Sequence, residues 1–255
     1  MRAVVIGGGG SGRAVERAIA ARGWEVVRHS RSTGFDVVRD DVGALLDGVD
    51  AVVEAAGRAT TSRRVATDFF TRSTRAIGAA AARTGVHHVL LSIHGCERPA
   101  VQGYGYFAGK AAQESAAART GARLTVVRST QWFEFAAQNA ARMRVGPVAL
   151  VPGMTIAPVA LEAVAGVLAD VVTGVRTDPR VDVAGPDVTT LWDLTRAVRP
   201  AGVLPVPFRI PGSLGAAFRG GSLLPDDTAE VVGPTAAAWL AASERSAVER
   251  GADRG

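Results

Sequence analysis

Ala3-Val4-Val5-Ile6-Gly7-Gly8-Gly9-Gly10-Ser11-Gly12 opens this 255-residue chain and decides its fold. Ala3–Ile6 reads as a buried strand. From about Gly12 to Arg22, Val15, Ala18 and Ile19 fall on one face of an amphipathic helix that Gly23 stops. Between strand and helix, Gly7, Gly9 and Gly12 satisfy G-x-G-x-x-G. Such glycines permit a tight turn, let the backbone approach a pyrophosphate and let the helix pack close on the strand. The phosphate then lies at the positive end of the helix. Lying between strand and helix, as the motif requires, the run predicts a dinucleotide site at Gly7, Gly9, Gly10, Ser11 and Gly12.

Outward from this unit, short apolar runs alternate with helical patterns. Strands are expected at Glu25–Val27, Asp36–Val38, Asp50–Val53, His88–Leu91 and Leu124–Arg128, with a helical turn over Val42–Leu46. A long helix over Val65–Arg83, closed by Gly85, and a helix reaching about Arg119 lie between the later strands. The alternation predicts an α/β, Rossmann-type, doubly wound parallel sheet. After Ser129 only a helix at Leu161–Thr173 and a strand at Arg180–Val183 read as core. Pro200–Pro234 reads as loops and short helices, and Thr235–Ser243 as a closing helix. The expectation is one domain over 1–255, with its core mainly in 1–128 and about 156–184. A small substrate-facing C-terminal lobe would occupy about 129–155 and 185–245.

Composition narrows the function classes. No apolar run reaches the eighteen residues of a membrane span, and the N-terminus enters a strand with no room for a signal peptide. A cytoplasmic protein without a membrane partner is expected. The single cysteine, Cys96, excludes an internal disulfide and argues against a Cys-based zinc site, so no metal is expected. The net charge is +5 and the pI about 10.5. The arginines are nonetheless spread along the chain, and no basic block interleaves with aromatics, so no nucleic-acid partner is expected. Among 29 Lys and Arg residues, Lys110 is the only lysine. Where arginine serves nearly everywhere, a retained lysine marks chemistry that needs a compact point charge.

An NAD site places Asp or Glu about twenty residues beyond the glycines, on the ribose 2′-hydroxyl. Here the second strand ends Arg28-His29-Ser30-Arg31-Ser32. Arginines with serines suit a 2′-phosphate, so NADP(H) is favoured over NAD(H), with Arg31 preferred to Arg28. Asp40 or Asp41 would meet the adenine edge, and Ala56 and Gly57 would complete the cofactor contacts.

Tyr106-Phe107-Ala108-Gly109-Lys110 supplies Tyr-x-x-x-Lys, two residues on one helix face. Tyr106 would donate a proton to a carbonyl oxygen as hydride arrives. Lys110 would hold the ribose hydroxyls and lower the phenol's pKa. Ser92, at the carboxyl end of a strand, would hydrogen-bond the same oxygen. His94 would line the site.

Glycine loop, Ser92 and Tyr-x-x-x-Lys, in that order, resemble the short-chain dehydrogenase/reductase superfamily. Asp50-Ala51-Val52-Val53-Glu54-Ala55-Ala56-Gly57, Val126-Val127-Arg128-Ser129-Thr130-Gln131 and Ala184-Gly185-Pro186 are similar to its atypical and extended branch, with NmrA-like and epimerase-like members. That resemblance implies an NADPH-dependent reductase of a ketone, quinone or similar small carbonyl. Its alternatives are an epimerase or dehydratase, or a non-catalytic NADP(H) sensor. It also implies that Gln131, Trp132 and Phe133, with Phe135, line cofactor and substrate. Two features depart from the family. A glycine run replaces its Thr-Gly loop, and Thr71, Ser73 and Thr74 stand where it often carries an asparagine supporting a proton relay. Trp192, Phe208 and Phe218, without a nearby charge cluster, favour an uncharged and partly apolar substrate.

Overall fold

A computed structural model describes residues 1–252, with side chains to residue 245. Their packing divides them into two units. Met1–Ser129 with Leu161–Val183 form the first, and Thr130–Ala160 with the residues from Ala184 onward form the second.

The first unit carries six strands: β1 (Arg2–Ile6), β2 (Glu25–His29), β3 (Ala51–Glu54), β4 (His87–Ile93), β5 (Leu124–Ser129) and β6 (Arg180–Ala184). Every pairing among them is parallel, in the order β2-β1-β3-β4-β5-β6. Helices α1 (Gly10–Ala20), α2 (Arg63–Thr84), α3 (Gly105–Ala117) and α4 (Leu161–Val172) connect them. Buried on both faces, Ala51–Val53 of β3 and Val89–Leu91 of β4 are apolar runs rather than alternations, as in parallel sheets generally. α1 packs on α4, tied by Arg17–Glu162 and Arg22–Asp170 ion pairs of 2.7 Å, and α2 packs on α3. This is the doubly wound Rossmann arrangement. Strand order reverses between β1 and β3, and such switch points are where open sheets bind ligands.

One expected strand is not there. Residues 36–38 form a turn. The Asp36 carboxylate accepts from the Val38 N–H at 3.0 Å, and the Asp40 carboxylate accepts from the Asp36 N–H at 2.7 Å. Two acids supplying local acceptors outcompete a ladder. Val37 still reaches the core, beside Phe35, Val42 and Leu46.

In the second unit, Leu204–Phe208 pairs parallel with Val148–Pro152, which pairs antiparallel with Arg144–Val145. The stretch 200–234, expected as loops and short helices, therefore also contains a strand. Pro205 and Pro207 hid it, yet prolines two apart place both missing N–H groups on one edge, where no ladder bond is lost. Helices Phe135–Arg142, Leu191–Val198, Gly212–Arg219 and Ala236–Ala252 also belong to this unit; the third is one of the short helices expected over 200–234, whereas the first two were not expected. No helix among the described residues is long and apolar enough to cross a membrane.

Candidate active site

The glycine run is built as its spacing demands. A Cβ on Gly7 would stand 2.8 Å from the Ala55 backbone, and one on Gly12 only 2.0 Å from the Gly7 carbonyl oxygen. Gly7 thus lets β1 turn against the end of β3, and Gly12 lets α1 pack on the loop. At Gly9, a Cβ would meet nothing within 4 Å. Gly9 is also the residue before α1, whose N-terminus has neither a capping side chain nor an acid in its first turn. Open space before bare N–H groups at the positive end of a helix suits a pyrophosphate.

The strand-end arginines differ. Arg28 donates from Nε to Glu16 at 2.7 Å and is half-buried, so its charge is already paired. Arg31 begins an exposed turn of 3₁₀ helix over Arg31–Thr33 and has no ion pair among the described residues. Asp40 and Asp41 both bond to local backbone, Asp41 accepting from the Gly43 N–H at 2.8 Å. Ala56 and Gly57 follow β3. The Tyr106 hydroxyl lies 3.8 Å from where a Cβ on Gly57 would be, so the phenol and this loop come together.

Gly109 explains how the Tyr106 helix is seated. A Cβ there would lie 2.7 Å from that of Ala66 and 2.9 Å from the Phe70 ring, so only glycine lets α3 approach α2 so closely. Phe70 in turn touches both Tyr106 and Lys110. Its ring meets Tyr106 edge-on, with centroids 5.5 Å apart, and the Lys110 ammonium stands 4.9 Å from its centroid. Lys110 is 4 % exposed and directed inward. Nζ donates to the Leu91 carbonyl oxygen at 2.8 Å and to Gln113 Oε1.

Behind Lys110 lies a carboxylate that the sequence did not single out. Glu54, the last residue of β3, is 1 % exposed. It accepts from Ser73 at 2.7 Å, from Thr74 at 2.9 and 2.7 Å, from Gln113 Nε2 at 2.8 Å and from His88 Nε2 at 3.1 Å. Burial pushes the Glu54 pKa up, but donation and charge from His88, with the Thr74 and Ser73 hydroxyls, outweigh it and hold the group below its usual range. Burial pushes the Lys110 pKa down from its ordinary value, and the charge of Glu54 opposes that fall. Ser73 and Thr74, two of the residues where the family often carries an asparagine, therefore serve Glu54. Thr71 donates to its own helix at Thr67.

Ser92 is 2 % exposed, and its hydroxyl has the Cys96 sulfur, 4.0 Å away, as its partner among the described residues. That bond is weak, so a carbonyl oxygen would take the hydroxyl readily. The Cys96 thiol donates to Glu114 at 3.6 Å, and burial with the Glu114 charge pushes its pKa up to about 12. Glu114 and Glu97 pair with Arg128. His94 is buried between Asp182 (Nδ1 to Oδ1, 3.2 Å) and Arg98 (3.2 Å to Nε2), an engagement that holds β4 to β6.

In the second unit, Gln131 has both side-chain amide atoms buried and without a partner among the described residues. A buried amide normally has a hydrogen-bond partner, supplied by protein, water or ligand. Trp132 bridges to Val159. Phe133 is fully buried and stacked on Trp239 at 4.8 Å, and Phe218 is 2 % exposed, so both are packing residues of this unit. Trp192 lies under Arg196. A cavity of about 540 Å³ is lined by Asp193, Arg196, Arg199 and Pro205, and the predicted site residues take no part in it.

No family model matches the sequence, and no curated protein is similar to it at a significant level. Solved structures are similar in fold. A dTDP-4-dehydrorhamnose reductase from Clostridium acetobutylicum aligns with a TM-score of 0.64 at 14 % identity, over 82 % of this chain and 84 % of that one. An NADPH-dependent quinone oxidoreductase from Escherichia coli, complexed with NADPH, aligns at 0.63 and 16 %, over 94 % and 99 %. A UDP-N-acetylglucosamine 4-epimerase from Bacillus cereus aligns at 0.61 and 16 %, over 82 % and 86 %. The chain therefore shares the Rossmann-type α/β fold of these nucleotide-sugar and quinone enzymes.

Proposed function

We propose that this chain is an NADPH-dependent reductase of the short-chain dehydrogenase/reductase type, acting on a ketone, quinone or similar small carbonyl. The observation that carries the reading is the seating of Tyr106. Its phenol stands against the loop after β3, on the same face of α3 as the chain's only lysine. The open cradle at Gly9, the uncapped α1 and Arg31, without an ion pair among the described residues, fit NADP(H), with Arg31 on the 2′-phosphate. When bound, the cofactor supplies a hydride. Tyr106 donates the proton to the substrate oxygen, Ser92 hydrogen-bonds that oxygen, and the Lys110 charge favours the phenolate left behind. The substrate is small, uncharged and partly apolar.

Purified protein should oxidise NADPH stoichiometrically with at least one member of a panel of quinones and ketones, read at the nicotinamide absorbance. Turnover of a nucleotide sugar without net NADPH loss would favour epimerase or dehydratase chemistry instead. One observation favours a second reading, an NADP(H)-binding regulator. Every strong contact of the Lys110 ammonium is made inside the first unit, to Leu91, Gln113 and Phe70. Tight NADPH binding with no consumption across the panel would establish that reading.

A further inference from the structure

Among the described residues, no carboxylate stands against the Lys110 ammonium. Nζ bonds to a backbone carbonyl and to Gln113 Oε1, with the Phe70 ring as third neighbour. Gln113, 0 % exposed, bonds onward through Nε2 to Glu54 at 2.8 Å. Only one orientation of that amide works. Flipped, it would set its NH₂ against the ammonium and its oxygen against the carboxylate. The two charges thus fix the amide, and the amide aligns its dipole between them. We propose that Glu54 is the counter-ion of Lys110, acting through the oriented amide of Gln113 to keep the ammonium charged and directed at the Leu91 carbonyl.

The surroundings support this role. Glu54 accepts from four side chains drawn from α2, β4 and α3, which is an environment built for the ionised form. The groups facing the pair are few. From β4 comes His88, with Nε2 on Glu54 and Nδ1 unpartnered among the described residues. From α2 come only the Ser73 and Thr74 hydroxyls and the Phe70 ring. The Cys96 thiol and Glu114, itself paired with Arg128, also act on Lys110 by charge. An amide does not readily pass a proton on, so Glu54 acts by charge and position. Its link to turnover, through the phenol of Tyr106, rests on the reductase reading above. The counter-ion assignment itself does not.

The chain's single lysine makes a direct test available. Protein labelled with ¹³C at lysine Cε gives one ¹H–¹³C correlation, whose movement with pH reports the Lys110 titration. In Glu54→Gln the midpoint should fall by about one pH unit or more, the effect of removing an opposite charge from a buried site. Gln113→Met should also lower it, and serves if Glu54→Gln does not fold. A midpoint unchanged in the folded variant overturns the assignment. Kinetics with NADPH and phenanthrenequinone form a separate arm, in which the alkaline limb of turnover should move down with the lysine midpoint. A moved midpoint in a protein that never consumes NADPH would leave the counter-ion standing and sink the reductase.

Discussion

A Cβ placed on Gly12 would lie 2.0 Å from the carbonyl oxygen of Gly7, whereas one placed on Gly9 would touch nothing within 4 Å. The same motif therefore contains one glycine that the fold needs and one that it does not. Gly12→Ala should misfold or lose several kcal/mol by forcing α1 off the loop, in the range of about 1–3 kcal/mol or more for overpacking. Gly9→Ala should keep the wild-type melting temperature yet weaken NADPH binding by about tenfold or more, because its methyl fills the space a pyrophosphate needs. Thermal melts and fluorescence titration with NADPH check the pair. Wild-type NADPH affinity in Gly9→Ala would remove the cofactor from this loop.

In the proposed reading, cofactor choice falls on Arg31. Arg28 is already neutralised by Glu16 at 2.7 Å, while Arg31 is exposed and unpaired among the described residues. Arg31→Ala should weaken NADPH by about tenfold and leave NADH nearly unchanged, as expected for losing one charge-assisted contact to phosphate. Arg28→Ala should instead cost stability through the stranded Glu16. A larger NADPH loss in Arg28→Ala than in Arg31→Ala would reverse the assignment.

Acid should destabilise the fold through His87. Burial, with the charges of Arg123 and His88, lowers its pKa to about 4, against 6.5 when exposed. Between pH 6.5 and 4 the unfolded chain takes up a proton that the folded chain refuses, so stability falls as pH falls through that window. Urea midpoints at pH 7 and pH 5 should differ, and His87→Gln, which retains a partner for Thr125, should narrow the difference. An unaltered difference would place the acid sensitivity elsewhere.

Much of the first unit was legible in the sequence, for a local reason. Parallel strands buried on both faces read as apolar runs, and the glycines that allow close approach sit at fixed offsets. The turn at 36–38 was not legible, because an apolar pair flanked by Asp36 and Asp40 looks like a short strand until its acceptors are placed. Leu204–Phe208 was hidden by prolines that only an edge strand tolerates. Within the site, Tyr106, Lys110 and Ser92 stood out by type and spacing, whereas Glu54, Phe70 and Gln113 did not. Their meaning is non-local. An acid closing an apolar strand becomes interpretable only when Ser73 and Thr74, His88 and Gln113 arrive from three other elements. The available signal was the run Val52-Val53-Glu54, a charge where a buried strand should carry none.

In the proposed reaction Tyr106 donates the proton. Its hydroxyl abuts the loop at Gly57, and its ring rests on Phe70, so Tyr106→Phe removes one oxygen and keeps the packing. NADPH-dependent turnover of the best carbonyl on the panel should fall by about 100-fold or more, the scale of a lost general acid. NADPH affinity should stay within about threefold. Turnover in Tyr106→Phe equal to that of the wild type would rule out Tyr106 as the proton donor.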